Sequence, residues 1–212
     1  MIYDIVKPNT MVPKGRIDSL EKSLKSVISN NIPGDIVECG TWRGGLAALM
    51  LHYIIKNNLS KKLYIYDTFK GMPEPGIKDD ARAMEKYSRT RDGEFSDWCR
   101  ADLNTVKNTL SKVSPNFHEH CTLIEGMVEQ TLDNCEVSTI ALCRIDTDFY
   151  DSTKKEFDVL YPKISVGGYM LVDDYTAWGG CRKAVHEYLA TLDSNSYETH
   201  LAAESMVIQK IK

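Results

Sequence analysis

Long apolar runs are missing from this sequence. None approaches the ~20 residues needed to cross a bilayer, so no segment qualifies as a membrane-spanning helix. The opening MIYDIVKPNT has neither a basic n-region nor a continuous apolar h-region, and no secretory signal is expected. Excess positive charge is missing too. With Lys+Arg 26 against Asp+Glu 30, the net charge of −4 gives no electrostatic footprint for nucleic acid or an anionic membrane. There is no CxxC pair among the six cysteines, and Cys39 and Cys143 lie in apolar segments where cysteine behaves as a small hydrophobe. All six read as reduced thiols of a cytoplasmic protein. The run HEHC ending at Cys121 lacks a second ligand pair and reads as a polar turn rather than a zinc site. No repeat, low-complexity tract or linker divides the 212 residues, so one domain is expected over 1–212.

What is present is an alternation of two periodicities. Ile17, Leu20, Leu24, Val27 and Ile28 fall on one face at helical spacing, and Pro33-Gly34 ends that helix. This gives an amino-terminal helical cover over 1–32. DIVEC (35–39) reads as a buried strand, 46–56 as a helix apolar on nearly every face, and KLYIY (62–66) as a second strand. Residues 68–95, rich in glycine, proline and charge, read as a long, partly mobile lid loop. Ser96 is a candidate cap for a helix carrying Leu103, Val106, Leu110 and Val113 inward. Strands follow at 121–125, 139–145 and 168–172, with helices at 152–161 and about 179–190, and YETHLA and SMVIQKI close the chain as a hairpin. Strands alternating with helices imply an α/β fold with a largely parallel sheet and an antiparallel edge.

Parallel sheets bind ligands at the carboxyl ends of their strands, so the residues there carry the argument. The first strand ends in Glu38-Cys39-Gly40-Thr41-Trp42-Arg43-Gly44-Gly45, a turn whose glycines let backbone approach a ligand ahead of a helix start. Asp67 closes the next strand, where an acid accepts from ribose hydroxyls. The layout suits a nucleoside; the spacing departs from GxGxxG, and a glycine turn without a ligand stays open as the plain reading. Two further ends read Arg144-Ile145-Asp146-Thr147-Asp148-Phe149-Tyr150 and Val172-Asp173-Asp174-Tyr175. One acidic pair alone reads as a helix cap or solvated turn. Two converging acidic ends repel without a cation, and oxygen-only ligands favour Mg²⁺, Ca²⁺ or Mn²⁺.

GDIVECGTWRGG, YDTFKGMP, RIDTDFYDSTKKEFDVLYPKISVGGYMLVDDY and GGCRKAVHEY together resemble the macrocin O-methyltransferase family of sugar methyltransferases, from about Met11 to Leu189. The resemblance implies a Rossmann-like methyltransferase fold: a mostly parallel seven-stranded sheet with an antiparallel edge strand and helices on both faces. It implies S-adenosylmethionine as methyl donor, a required Mg²⁺ and a sugar or glycoside acceptor. Carried over by position, Asp146, Asp173 and Asp174 would ligate the metal, with Asp173 as general base. Glu38, Gly40, Thr41, Arg43, Gly44 and Gly45 would surround the methionine part of the cofactor. Asp67 would hold the ribose beside Thr68 and Phe69, Gly126 and Met127 would border the adenine, and Met11 would belong to the cover.

A sugar hydroxyl is too weak an acid to ionise at neutral pH. A cation lowers that barrier, and since Mg²⁺ is a modest Lewis acid a carboxylate is still needed to take the proton. Asp148 is the reserve for that role and a candidate substrate contact. Tyr150, Tyr175 and Trp178 are candidate walls for a sugar ring, with core packing as the competing reading for each. Two rival functions fit parts of the pattern: a metal-dependent glycosyltransferase using Asp146-x-Asp148, and a non-catalytic methyltransferase-like subunit. The expected partner is a small-molecule sugar or glycoside acceptor, not nucleic acid or membrane, with self-association left open.

Overall fold

A computed structural model describes residues 1–212. The strands are β1 (Asp35–Cys39), β2 (Leu63–Asp67), β3 (Arg91–Asp92), β4 (Phe95–Ser96), β5 (Cys121–Glu125), β6 (Ile140–Ile145), β7 (Ile164–Val172), β8 (Tyr197–Ala202) and β9 (Ser205–Lys210). The helices are α1 (Ile2–Val6), α2 (Lys14–Ser29), α3 (Gly45–Lys56), α4 (Ala81–Thr90), α5 (Leu103–Ser111), α6 (Val128–Thr131), α7 (Tyr150–Leu160) and α8 (Gly179–Leu189). Seven strands form one sheet in the order β5-β2-β1-β6-β7-β9-β8. β9 runs antiparallel to both β7 and β8, and the other neighbours pair in parallel. The expected mostly parallel sheet with an antiparallel edge is what forms.

Alternation along the strands builds two cores. Ile36, Leu63 and Ile65 face α2, α3 and α5, while Val37, Cys39 and Cys143 face α7 and α8. Helix α3 is buried from Gly45 through Leu51, as a helix without a polar face must be. Helix α2 turns Ile17, Leu20, Leu24 and Val27 inward, the face its spacing predicted. No helix is long and apolar enough to cross a membrane. All six cysteines are free.

Two local expectations change. The helix carrying Leu103, Val106 and Leu110 is capped by Asp102, whose side chain accepts from the Thr105 N–H at 2.7 Å. Ser96 instead ends β4 with its hydroxyl 2.5 Å from that of Thr90 and accepting from the Trp98 N–H. Residues 68–95 also hold more regular structure than their composition suggested, namely α4 and the β3–β4 hairpin. Helix α4 forms because Asp80 caps it and Ala83 and Tyr87 supply a buried face.

Candidate active site

Strand order reverses at β1, whose neighbours β2 and β6 lead outward in opposite directions. The crevice beyond such a reversal is where open α/β sheets bind ligands. Here the glycine turn and the first acidic strand end meet. The Asp146 N–H donates to the Cys39 carbonyl at 2.8 Å, and the Gly40 N–H donates to Tyr66. Gly40 has φ +77°, and a Cβ there would lie 2.1 Å from the Asp146 carbonyl oxygen. Only glycine fits. Gly45 is constrained by space instead: a Cβ would lie 2.4 Å from the Asn9 carbonyl, so its bareness lets the amino-terminal segment lie across the turn.

A cavity of about 330 Å³ opens at this crevice, within the size range of small-molecule sites. At one end it is lined by Gly40, Trp42, Asp67 and Thr68, with Gly126, Met127 and Glu129 beyond. Both Asp67 oxygens are fixed by backbone, accepting from the Thr41 and Phe69 N–H groups at 2.7 Å each. Burial pushes the Asp67 carboxyl up while those donors pull it back. Met11, Val12 and Pro13 also line the cavity, and Arg16 lines it on the side of the acids.

The other end is acidic. Asp146, Asp148 and Asp174 offer oxygens within 4.8 Å of one another. Asp173 is engaged elsewhere: one oxygen lies 2.8 Å from the Arg16 guanidinium and the other 3.2 Å from Arg144. The Arg16 guanidinium also lies 3.6 Å from Asp174 and so sits at the edge of the acidic triad, and the Ser205 hydroxyl donates to the Asp173 backbone carbonyl. Arg144 is buried beneath the site and also meets Glu38 at 3.0 Å and Asp146 at 2.6 Å. Arg16 also meets Glu204 at 3.1 Å, so Glu38, Asp146, Asp173, Asp174 and Glu204 share two guanidiniums while Asp148 has neither, and the charge is not balanced. Burial, reinforced by the neighbouring acids, pushes Asp148 up to about 7 and Asp174 to about 8, and holds Asp146 well above the usual carboxylate range. Asp148 has no Arg or Lys partner and sits at φ +69°, a left-handed conformation costly for a non-glycine residue.

The remaining expected residues divide. Gly40, Asp67, Thr68, Gly126, Met127, Met11, Asp148 and Trp178 line the cavity. Glu38 does not; fully buried, it accepts from the Thr41 hydroxyl at 2.7 Å and pairs with Arg144, and burial pushes it up to about 7. Arg43 is exposed with its guanidinium over the Trp42 ring. Gly44 is the left-handed N-cap of α3, and Phe69 is buried against the core. Tyr150 opens α7 and turns its hydroxyl to Lys78 and Glu187, away from the cavity. Tyr175 stacks on His186, its hydroxyl 2.7 Å from the ring nitrogen.

Several contributors carried no sequence signal. Arg16 sits in an ordinary amphipathic helix, and nothing local marks it as the partner of Asp173. Trp98 packs edge-on to Trp178 at 5.5 Å, and both line the cavity. Arg82 lies 4.2 Å over the Trp178 ring and donates to the Ala177 carbonyl, which fixes α4 against that wall. Asp79 accepts from the Tyr150 N–H and Asp80 from the Gly179 N–H, so adjacent acids cap α7 and α8 from the same segment.

A seven-stranded sheet with its last strand reversed, a glycine turn at the reversal point and a fixed acid on the next strand define a Rossmann-like methyltransferase. The O-methyltransferase NovP superposes with a TM-score of 0.78 at 29% identity, over 96% of this chain and 83% of that one. Demethyldecarbamoylnovobiocin O-methyltransferase of Streptomyces niveus is 34% identical over 194 residues, 87% of this chain and 69% of the relative. The 8-demethyl-8-(2,3-dimethoxy-alpha-L-rhamnosyl)-tetracenomycin-C 4'-O-methyltransferase of Streptomyces olivaceus is 30% identical over 188 residues, 85% of this chain and 67% of the relative. The sequence model of the macrocin-O-methyltransferase (TylF) family matches residues 6–200. This chain belongs to that family and is an O-methyltransferase.

Proposed function

We infer that the chain transfers the methyl group of S-adenosylmethionine to a hydroxyl of a sugar or glycoside, with a divalent cation, Mg²⁺, at the acidic end of the cavity. The observation that carries the reading is one cavity that joins a backbone-fixed ribose acid, Asp67, to three converging carboxylates. The rhamnosyl group in the name of the Streptomyces olivaceus relative supports a sugar acceptor. Family membership displaces the glycosyltransferase reading, and the cavity with its acidic triad speaks against a subunit without turnover.

The residues fit a cation. Hard oxygen donors alone converge, and burial has raised Asp146, Asp148 and Asp174 despite the guanidinium beside Asp146, the response of carboxylates whose charge is only partly offset. Asp146 and Asp174 would hold it, with Asp173 added when Arg16 releases its contact. When bound, the cation supplies positive charge that lowers the pKa of an acceptor hydroxyl. S-adenosylmethionine supplies the methyl, the oxygen–carbon bond forming as the carbon–sulfur bond breaks to leave a neutral thioether.

The chain's own work is alignment and proton transfer. Asp67 accepts from ribose hydroxyls on the lone pairs its two backbone donors leave free. Gly40 lets the donor lie against bare backbone, and Met127 and Gly126 border the base. Trp98 and Trp178 form a wall beside the acids, where the apolar face of a sugar ring is shielded from water. Asp148 takes the hydroxyl proton. It faces the cavity without a guanidinium partner, whereas Asp173 is paired to two, which makes Asp173 an anchor rather than the expected base. A positioned general base contributes about 10²–10⁴-fold. The test is methyl transfer from S-adenosylmethionine to a panel of glycosides, with and without Mg²⁺. Full turnover in EDTA would overturn the cation, and turnover confined to non-sugar hydroxyls would overturn the acceptor class.

A further inference from the structure

Glu156 is a fully buried carboxylate one turn and a half into α7, and neither the sugar wall nor the cofactor end uses it. No Lys, Arg or His pairs with it within ion-pair distance. Both its oxygens accept from the Thr147 hydroxyl, at 3.1 Å each, and the Cys39 thiol is a second hydrogen-bonding neighbour. Thr147 is the residue between Asp146 and Asp148. Its carbonyl is held as well, accepting from the Phe149 N–H at 2.8 Å and from the Ser152 hydroxyl at 3.3 Å.

We propose that Glu156 is a positioning residue that sets the two flanking aspartates by fixing Thr147. The argument is steric and local. In an Asp-Thr-Asp run at a strand end, anchoring the middle side chain beneath the loop commits its neighbours to the cavity side. Asp148 faces that side at φ +69°, and a strained residue persists where its surroundings over-determine it. The contacts on Thr147, one to its side chain and two to its carbonyl, supply that constraint. A buried carboxylate with no cationic partner is an expensive way to fill space, and an apolar side chain would fill a fully buried position at lower cost. Its chemistry is explained by the hydrogen bond it offers.

The inference rests on the cation reading, and the experiment separates the two. Mn²⁺ binding to the whole chain is followed by electron paramagnetic resonance, and S-adenosylhomocysteine binding by calorimetry. Partners that orient metal ligands typically change metal affinity by about 10–100-fold. Thr147→Val and Glu156→Leu are each expected to weaken Mn²⁺ by at least about tenfold, the double variant no more than either alone, and Glu156→Gln to stay within about threefold of the parent. S-adenosylhomocysteine affinity should hold within about threefold in all four. Thr147→Val keeps the shape of the side chain and decides the matter if Glu156→Leu does not fold. Parent-like Mn²⁺ affinity in Thr147→Val overturns the inference and leaves the cation reading standing. Equal losses of Mn²⁺ and S-adenosylhomocysteine overturn it in favour of general structural damage. Absence of Mn²⁺ binding in the parent overturns both.

Discussion

Without a cation, the protein should lose stability as pH rises from 5 to 8, and Mg²⁺ should restore it most at the alkaline end. The cause is the acidic triad. Asp174 is pushed up to about 8 and Asp148 to about 7 in the folded chain, by burial first and neighbouring acids second. In the unfolded chain both titrate near the ordinary value of about 4. A folded pKa above the unfolded one means that the folded state binds more protons between those values. Stability is then complete below about pH 4 and is lost as pH climbs toward the folded pKa. The Asp174 span from about 4 to about 8 covers roughly three units between pH 5 and pH 8, at ~1.4 kcal/mol each, so the loss over that range is on the order of 4 kcal/mol. Asp148 responds to the same repulsion and is not counted again. At roughly 2–4 °C per kcal/mol for a domain of this size, Tm should fall on the order of 10 °C between pH 5 and pH 8. Calorimetric melting of EDTA-treated protein across that range, repeated with saturating Mg²⁺, measures both effects. A melting temperature that is flat or rising in EDTA would refute the uncompensated-charge argument. A Mg²⁺ increment that does not grow with pH would refute the assignment of the cation to these carboxylates.

Asp148→Asn should lower kcat by about 10²–10⁴-fold with the affinity for S-adenosylhomocysteine preserved, and should raise the pH 8 melting temperature in EDTA because one buried repulsion is gone. Asp67→Ala should weaken S-adenosylhomocysteine by roughly 10–100-fold in calorimetry, the equivalent of losing charge-assisted hydrogen bonds of about 1.5–3 kcal/mol. Arg144→Ala leaves Glu38, Asp146 and Asp173 without their buried partner and should cost about 3–5 kcal/mol in denaturant melts. Trp178→Ala should raise KM for the acceptor while leaving S-adenosylhomocysteine affinity within about threefold, since it removes a wall at the acidic end only.

Local pattern determined the order of the main sheet strands and of most of the helices between them, while α4 and the β3–β4 hairpin were not read from it. Helical spacing over 16–30, apolar five-residue strands and the Pro33-Gly34 break are short-range signals, and the chain follows them. The acids and glycines at strand ends were legible for the same reason: the end of a parallel strand is a fixed place, so a residue type there carries meaning without coordinates. Gly40 could be read as a close approach of backbone, but only the sheet showed that the approaching group is the Asp146 carbonyl. What sequence could not supply is which charges meet. Arg16 and Asp173 lie in distant parts of the chain, and their pairing depends on how α2 crosses the end of β7. That contact, with Arg144 below, ties Asp173 to two guanidiniums and leaves Asp148 as the one aspartate at the acidic end of the cavity without such a partner. The same limit hid Trp98, and it misdirected Tyr150 and Tyr175, because a side chain's direction at a helix start or turn is chosen by its long-range neighbours. Strand ends bring acids together through local rules; the partition of those acids among cations is decided by packing across the whole fold.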